Sequence, residues 1–233
     1  MKTHDYEKFA KAYAGLKIKD TFYLAYRDIP QLIKKYVKGK KALDYGCGAG
    51  RSTRFLKKLG FDTIGVDISK AMIKEAKSMD KKGKYCFIKS GELPFKNNYF
   101  DFIFSSIVFL EIPSREQIVD ILKELKRVLK KYGTIIIVTS SEEGYTGQWT
   151  SFICNFPQNK NLKSGDKAKV MIRNSKITLY DYYWTNRDYK DCFKKSGLKL
   201  ISTHKPLAKG KEPFKWHSER KISHWTIYTL KNH

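Results

Sequence analysis

Apolar residues along this chain follow two rhythms. Near the start, Tyr6, Phe9, Ala10 and Tyr13 recur at helical spacing with charges between them. Phe22, Tyr23, Tyr26, Ile29, Leu32, Ile33 and Tyr36 continue the pattern, with Pro30 near a helix start. This predicts two amphipathic helices over residues 1–39. From Lys41 onward, short apolar runs alternate with helical stripes. Strands are predicted from Lys41, over Thr63–Val66, Lys84–Ile88, Tyr99–Ser106 and Thr134–Val138. The intervening helices run from Ser52 through Leu59, over Lys70–Lys81, and from Pro113 to a stop at Tyr132-Gly133. The last carries the stripe Ile118, Ile121, Leu122, Leu125, Val128 and Leu129. Buried strands alternating with helices indicate a parallel sheet covered on both faces.

Residues 141–184 break that rhythm. Lys167–Ile172 and Lys176–Tyr180 read as a hairpin across Asn174-Ser175. A helix over Thr185–Gly197, a strand over Leu198–Thr203 and a polar connection over Gly210–Arg220 follow. Trp225–Leu230 alternates as a last strand.

The 233 residues suit one domain with decorations, so 1–233 is read as a single unit. The formal charge of +24 raises the question of nucleic-acid or anionic partners. The excess is mostly lysine and lies along the polar sides of helices, which favours a solvated surface. Cys47, Cys86, Cys154 and Cys192 are widely spaced without a C-x-x-C pair, so no metal site is indicated. Cys86 and Cys192 read as core thiols. Reduced thiols, an N-terminus without an apolar signal run, and apolar runs of strand length favour a cytoplasmic protein with no membrane partner.

The chemistry gathers at Lys41–Ser52. A strand ends at Asp44, glycines follow at positions 46, 48 and 50, and a helix begins at Ser52. Glycine lets a backbone turn sharply and lets a ligand approach closely. The spacing D-x-G-x-G-x-G differs from the dinucleotide fingerprint. A second acid, Asp67, ends the next strand about 20 residues on, where a carboxylate can accept hydrogen bonds from ribose hydroxyls.

This combination resembles the class I S-adenosylmethionine-dependent methyltransferases, in particular those acting on small molecules. Supporting segments are Tyr6–Tyr13, similar to a "Y-D-x-x-A-x-x-Y" opening, and Lys89–Phe95, similar to "D-A-x-x-L-P-F". Phe100–Ile103 and Leu125–Gly133 match further family patterns. The resemblance implies a Rossmann-like, doubly wound, seven-stranded, mostly parallel α/β sheet with an antiparallel last strand. It also implies a helical lid over 1–39, a cofactor core over 40–140, a cap insertion after strand five over 141–184, and a C-terminal helix and strands over 185–233.

The cofactor implied is S-adenosyl-L-methionine, with S-adenosyl-L-homocysteine as product. Its implied contacts are Tyr13, Arg27, Asp44, Gly46, Cys47, Gly48, Gly50, Asp67, Ile68, Gly91, Glu92, Leu93 and Ser106. Lys89 stands where the family has an acid beside the adenine, and lysine cannot accept a hydrogen bond. Tyr6, Glu111, Trp149, Tyr182, Tyr183 and Trp184 are the candidate substrate contacts.

Methyl transfer demands no universal catalytic residue, because the cofactor carries the reactivity. An oxygen or nitrogen acceptor can still need a base. Glu111, His217, Glu219 and His224 are candidates. The favoured acceptor is a small molecule. The alternative is a nucleic acid, but the fourth strand leads to Phe109-Leu110-Glu111-Ile112 rather than a D/N-P-P-Y/F motif, and no Pro-Cys pair is present. A monomer and a homodimer fit the sequence equally.

Overall fold

A computed structural model describes residues 6–173, 175 and 177–233, with the backbone alone at 6–8. The helices are α1 (Tyr6–Ala14), α2 (Asp20–Arg27), α3 (Ile29–Tyr36), α4 (Arg51–Lys58), α5 (Lys70–Met79), α6 (Arg115–Val128) and α7 (Asn186–Lys195). The strands are β1 (Lys41–Tyr45), β2 (Asp62–Asp67), β3 (Lys84–Phe87), β4 (Phe100–Ser106), β5 (Leu129–Ser140), β6 (Phe152–Ile153), β7 (Lys167–Ile172), β8 (Ile177–Tyr182), β9 (Lys199–His204) and β10 (Trp225–Lys231).

Seven strands form the main sheet in the order β3-β2-β1-β4-β5-β10-β9. Only β10 runs against the others, pairing antiparallel with both β5 and β9. The order reverses between β1 and β4, which is where open sheets of this kind leave a crevice. The register puts the carboxyl ends of β1, β2 and β4 level, with Asp44 opposite both Gly65 and Phe104.

Alternation along β5 divides the core. Ile135 and Ile137 join Leu122, Leu125 and Phe193 on one face. Ile136 and Val138 join Leu24, Ile29, Trp149 and Phe152 on the other. Successive strand residues point to opposite faces, so one apolar run serves both layers. The second sheet, β6-β7-β8, is antiparallel and belongs to the insertion. The expected hairpin is there as β7 and β8; Asn174 and Lys176 at its turn lie outside the described residues.

Two boundaries differ from the sequence expectation. The second N-terminal helix is two, α2 and α3, divided at Asp28 just before Ile29-Pro30. The helix expected to reach Tyr132-Gly133 stops at Val128, and β5 begins at Leu129. Leu129 continues the helical stripe of Leu125 and Val128, so periodicity hides the switch. Tertiary pairing makes it: Leu129 lies opposite Phe100, and Asn232 binds the carbonyl of Leu129 through Nδ2 at 3.0 Å. Tyr132 adopts φ 63° and donates its N–H to the Asn232 carbonyl at 2.7 Å.

Candidate active site

The glycine turn lies between β1 and α4. Gly46, Gly48 and Gly50 all have positive φ, a conformation L side chains rarely adopt. A Cβ on Gly46 would lie 2.2 Å from Val108 Cγ2, whereas one on Gly48 would meet nothing closer than Met72 Sδ at 4.0 Å. Gly46 is therefore held by packing, and Gly48 faces open space. The Gly48 N–H donates to Asp67 Oδ2 at 2.8 Å, and the Ser69 N–H donates to Asp67 Oδ1 at 2.9 Å. Ser69 also caps α5 by accepting from the Met72 N–H.

Asp44 has a different environment. It is fully buried, and its Oδ2 accepts from the hydroxyls of Ser52 at 2.7 Å and Thr53 at 2.6 Å. Oδ1 has no hydrogen-bond partner among the described residues. Burial raises its pKa to about 6, against the two hydroxyl bonds.

The turn opens into one continuous cavity of about 360 Å³. At the turn its wall includes Gly46, Cys47, Gly48, Asp67 and Ile68, with Tyr13 of α1 nearby. Ile88, Ser90, Gln117 and Ile121 line a further part of it. The wall also takes in Phe22 and Tyr26 of α2, and Phe152, Val170, Ile172, Leu179 and Asp181 of the insertion sheet, with Trp225. Glu111, Ser140 and His224 complete its polar lining there.

Glu111, Asp181 and His224 in that wall are strongly displaced. Burial, then the field of Asp181, pushes the Glu111 carboxyl well above the carboxylate range. Burial pushes Asp181 up to about 7, partly offset by the Tyr145 hydroxyl. Burial lowers His224 to about 3, so its imidazole is neutral at physiological pH. The ring stacks on Phe152 at 4.6 Å and meets Trp149 edge-on at 4.7 Å.

The chemistry of the wall fits an adenosyl sulfonium. A bare backbone faces the cavity at Gly48, a carboxylate stands at the end of β2, and the Ser106 Oγ is buried without a hydrogen-bond partner among the described residues.

Comparison with known proteins agrees. Residues 43–137 match the family described as a methyltransferase domain. A solved S-adenosylmethionine-dependent methyltransferase of Methanosarcina mazei superposes with a TM-score of 0.65 at 17% identity, over 86% of this chain and 96% of that one. Residues 43–137 thus match a methyltransferase domain, and the fold is that of solved S-adenosylmethionine-dependent methyltransferases. An uncharacterized protein of Methanocaldococcus jannaschii is 35% identical over 61% of this chain and 64% of its own length. The chloroplastic tocopherol O-methyltransferase of Arabidopsis thaliana is 35% identical over 43% of this chain and 30% of its own. The chain thus spans less than two thirds of either of these curated relatives.

Of the residues expected at the site, Tyr13, Gly46, Cys47, Gly48, Asp67, Ile68, Ser106, Glu111 and His224 line the cavity. Other residues expected at the site lie elsewhere. Arg27 is held by Asp28, Glu212 and the Leu207 carbonyl. Asp44 and Gly50 stand behind the turn, Gly50 against Tyr85. Gly91, Glu92 and Leu93 are not in the wall, though Ser90 is; the Leu93 N–H donates to Glu124 instead.

Trp149 is buried and donates to the Gly144 carbonyl at 2.7 Å. Tyr182 stacks on Trp184, Trp184 donates to the Ile112 carbonyl at 3.0 Å, and Tyr183 packs edge-on against Tyr145. Glu219 is fully buried and accepts from the Thr21 hydroxyl at 2.6 Å and the backbone of Thr150 and His217. His217 does not reach the wall. The Tyr6 side chain lies outside the described residues.

Asp181 and Arg51 were missed by sequence reasoning. Asp181 sits beside the aromatics that drew attention, on a strand whose burial alternates, and that alternation was its available signal. Among the described residues no helix is long and apolar enough to cross a membrane.

Proposed function

We propose that this protein transfers the methyl group of S-adenosylmethionine to an oxygen or nitrogen of a small molecule. The observation that carries this reading is the continuity of the cavity, which joins the glycine turn to an apolar chamber walled by the insertion sheet. The cofactor supplies a methyl group already activated by its sulfonium. The residues of the chain then bind, orient and exclude water.

On this reading Asp67 receives the ribose hydroxyls, and Ile68 covers the same end. The backbone of Gly46–Ala49 follows the methionine portion, with the Ser106 hydroxyl beside it. Ile88, Ser90, Gln117 and Ile121 border the adenine, in place of the family's acid. Asp44 acts one step removed, by fixing Ser52 and Thr53 at the start of α4. Phe22, Tyr26, Phe152, Ile172 and Leu179 exclude water from the acceptor, and Glu111, Asp181 and His224 are the groups able to hold or take its proton.

The nucleic-acid alternative gains little from the wall. Among the described residues, Arg51 is the one lysine or arginine that lines the cavity of a chain with 47 of them. Calorimetry with S-adenosylhomocysteine, followed by labelled-methyl transfer into a small-molecule extract and into RNA, tests the reading. Saturable binding with label in the small-molecule fraction supports it. Absence of binding removes the enzyme reading, and label confined to RNA removes the acceptor class.

A further inference from the structure

Arg51 opens α4 directly after the glycine turn, and its side chain runs toward α2. The guanidinium lies over the Phe22 ring at 4.8 Å and near Tyr26 at 5.8 Å. Phe22 in turn meets Phe152 of the insertion sheet edge-on at 4.8 Å. The cation therefore stands where the turn joins the chamber. Among the described residues it is the one lysine or arginine in the cavity wall. Its Nη1 is buried without a hydrogen-bond partner among the described residues. Other half-buried arginines are engaged: Arg27 by Asp28 and Glu212, Arg127 by Glu124, and Arg54 by the Ala49 carbonyl.

We infer that the methyl acceptor is a largely apolar carboxylic acid, and that Arg51 receives its carboxylate. This deepens the methyltransferase reading and rests on it.

A guanidinium with an idle N–H in an apolar wall is costly, because a buried donor has lost its water. A carboxylate offsets that cost best. It matches the planar fork with two parallel N–H bonds and cancels the charge. A hydroxyl accepts an N–H bond and leaves the charge, and an ammonium brings a second cation beside the first. A phosphate dianion carries more charge than one arginine balances. Phe22, Phe152, Ile172 and Leu179 give the body of the guest an apolar seat.

The acids of the neighbourhood do not take the guest's place. Asp44 feels the field of Arg51, but its Oδ2 is held by Ser52 and Thr53. Asp67 accepts from the Gly48 and Ser69 N–H groups. Glu111 and Asp181 line the same wall; each has interactions of its own, and among the described residues neither pairs with Arg51. Burial favours the neutral form of both, so they place less negative charge beside a carboxylate than two ionised acids would. His224 is neutral and adds none.

The cofactor also carries a carboxylate, and the test separates the two sources. The whole protein is saturated with S-adenosylhomocysteine and titrated with three probes of one shape: phenylacetate, 2-phenylethanol and phenethylamine. Calorimetry reads binding without turnover. Phenylacetate is expected to bind about 10-fold or more tighter than the alcohol, the scale of hydrogen bonds to a charged group, and the amine not to bind. Arg51→Gln is expected to cost phenylacetate about 10-fold or more, with Arg51→Lys recovering part of the loss. S-adenosylhomocysteine, and 5′-methylthioadenosine, which lacks the carboxylate, are expected to bind both variants within about two-fold of wild type.

Equal or tighter binding of the alcohol or the amine, binding of none of the probes, or a phenylacetate affinity untouched by Arg51→Gln would overturn the inference. So would an Arg51→Gln protein that loses about 10-fold for S-adenosylhomocysteine yet keeps 5′-methylthioadenosine, because Arg51 then serves the cofactor's own carboxylate. The wild-type comparison stands even where a variant fails to fold. Loss of S-adenosylhomocysteine binding by the wild-type protein would instead overturn the methyltransferase reading itself.

Discussion

Gly48 donates its backbone N–H to the Asp67 carboxylate at 2.8 Å, so the turn after β1 is tied to the end of β2. One acid thereby fixes the shape of the turn and lines the cavity. Asp67→Ala is expected to weaken S-adenosylhomocysteine binding about 10- to 100-fold, the scale of losing hydrogen bonds to a charged group. Calorimetry reads it directly. An unchanged affinity would show that the ribose is held elsewhere.

Gly46 and Gly48 share a left-handed backbone and differ in what lies beyond it. Gly46→Ala forces a methyl against Val108 and is expected to destabilise the fold by roughly 2–4 kcal/mol. Gly48→Ala meets open space and is expected to cost only about 1–2 kcal/mol. It places its methyl in the cavity, so its S-adenosylhomocysteine affinity should fall by more than its stability does. Denaturant unfolding alongside calorimetry on both variants separates the effects, and identical behaviour would refute the distinction.

Glu219 joins three parts of the chain through Thr21, Thr150 and His217. Glu219→Ala strands three buried or half-buried donors and is expected to destabilise by about 3 kcal/mol or more. Cofactor affinity at a temperature where the variant is folded should stay within two-fold, because Glu219 does not line the cavity. A lost affinity with unchanged melting would assign Glu219 to the site after all.

The pH dependence of stability has two opposed contributions. Asp181 has a folded pKa of about 7, raised by burial above the ordinary carboxylate value. Its contribution is fully present below about pH 4 and is lost as pH rises to about 7. The groups whose fields it shares are Tyr13, Glu111, Tyr145, Cys154 and Tyr189. Asp28 behaves oppositely. Burial would raise it, but hydrogen bonds from Arg27 and His204 outweigh that and hold it at about 2. Its contribution is present above about pH 4 and is lost as pH falls toward 2. Asp181→Asn should therefore gain on the wild type between pH 4 and 7, and Asp28→Asn should lose most above pH 4. Melting curves across pH check both signs.

The sheet and the glycine turn were legible because each rests on local pattern. Apolar runs of strand length, helical stripes and glycines at alternate positions all declare themselves over a few residues. The chamber was less so. Trp149, Tyr182, Tyr183 and Trp184 drew attention by size, yet the two tryptophans donate to backbone carbonyls and the two tyrosines pack against neighbouring rings. Asp181, among them, was passed over because the aromatic residues beside it masked the alternation of its strand. Arg27 was chosen for its charge near the lid, and only the fold shows Asp28 and Glu212 engaging it. Glu111 was found because it follows the end of a strand whose direction the sequence does reveal, and His224 as one of the titratable groups near the C-terminus.

The reversed strand β10 has a consequence for how the molecule is made. It lies between β5 and β9, although it follows both in the sequence. A nascent chain can assemble β1, β2 and β4, and with them the glycine turn, while residues 224–231 are still inside the ribosome. His224, and the closing wall beside it, come after them. Translation thus builds the glycine turn before the wall that closes the chamber.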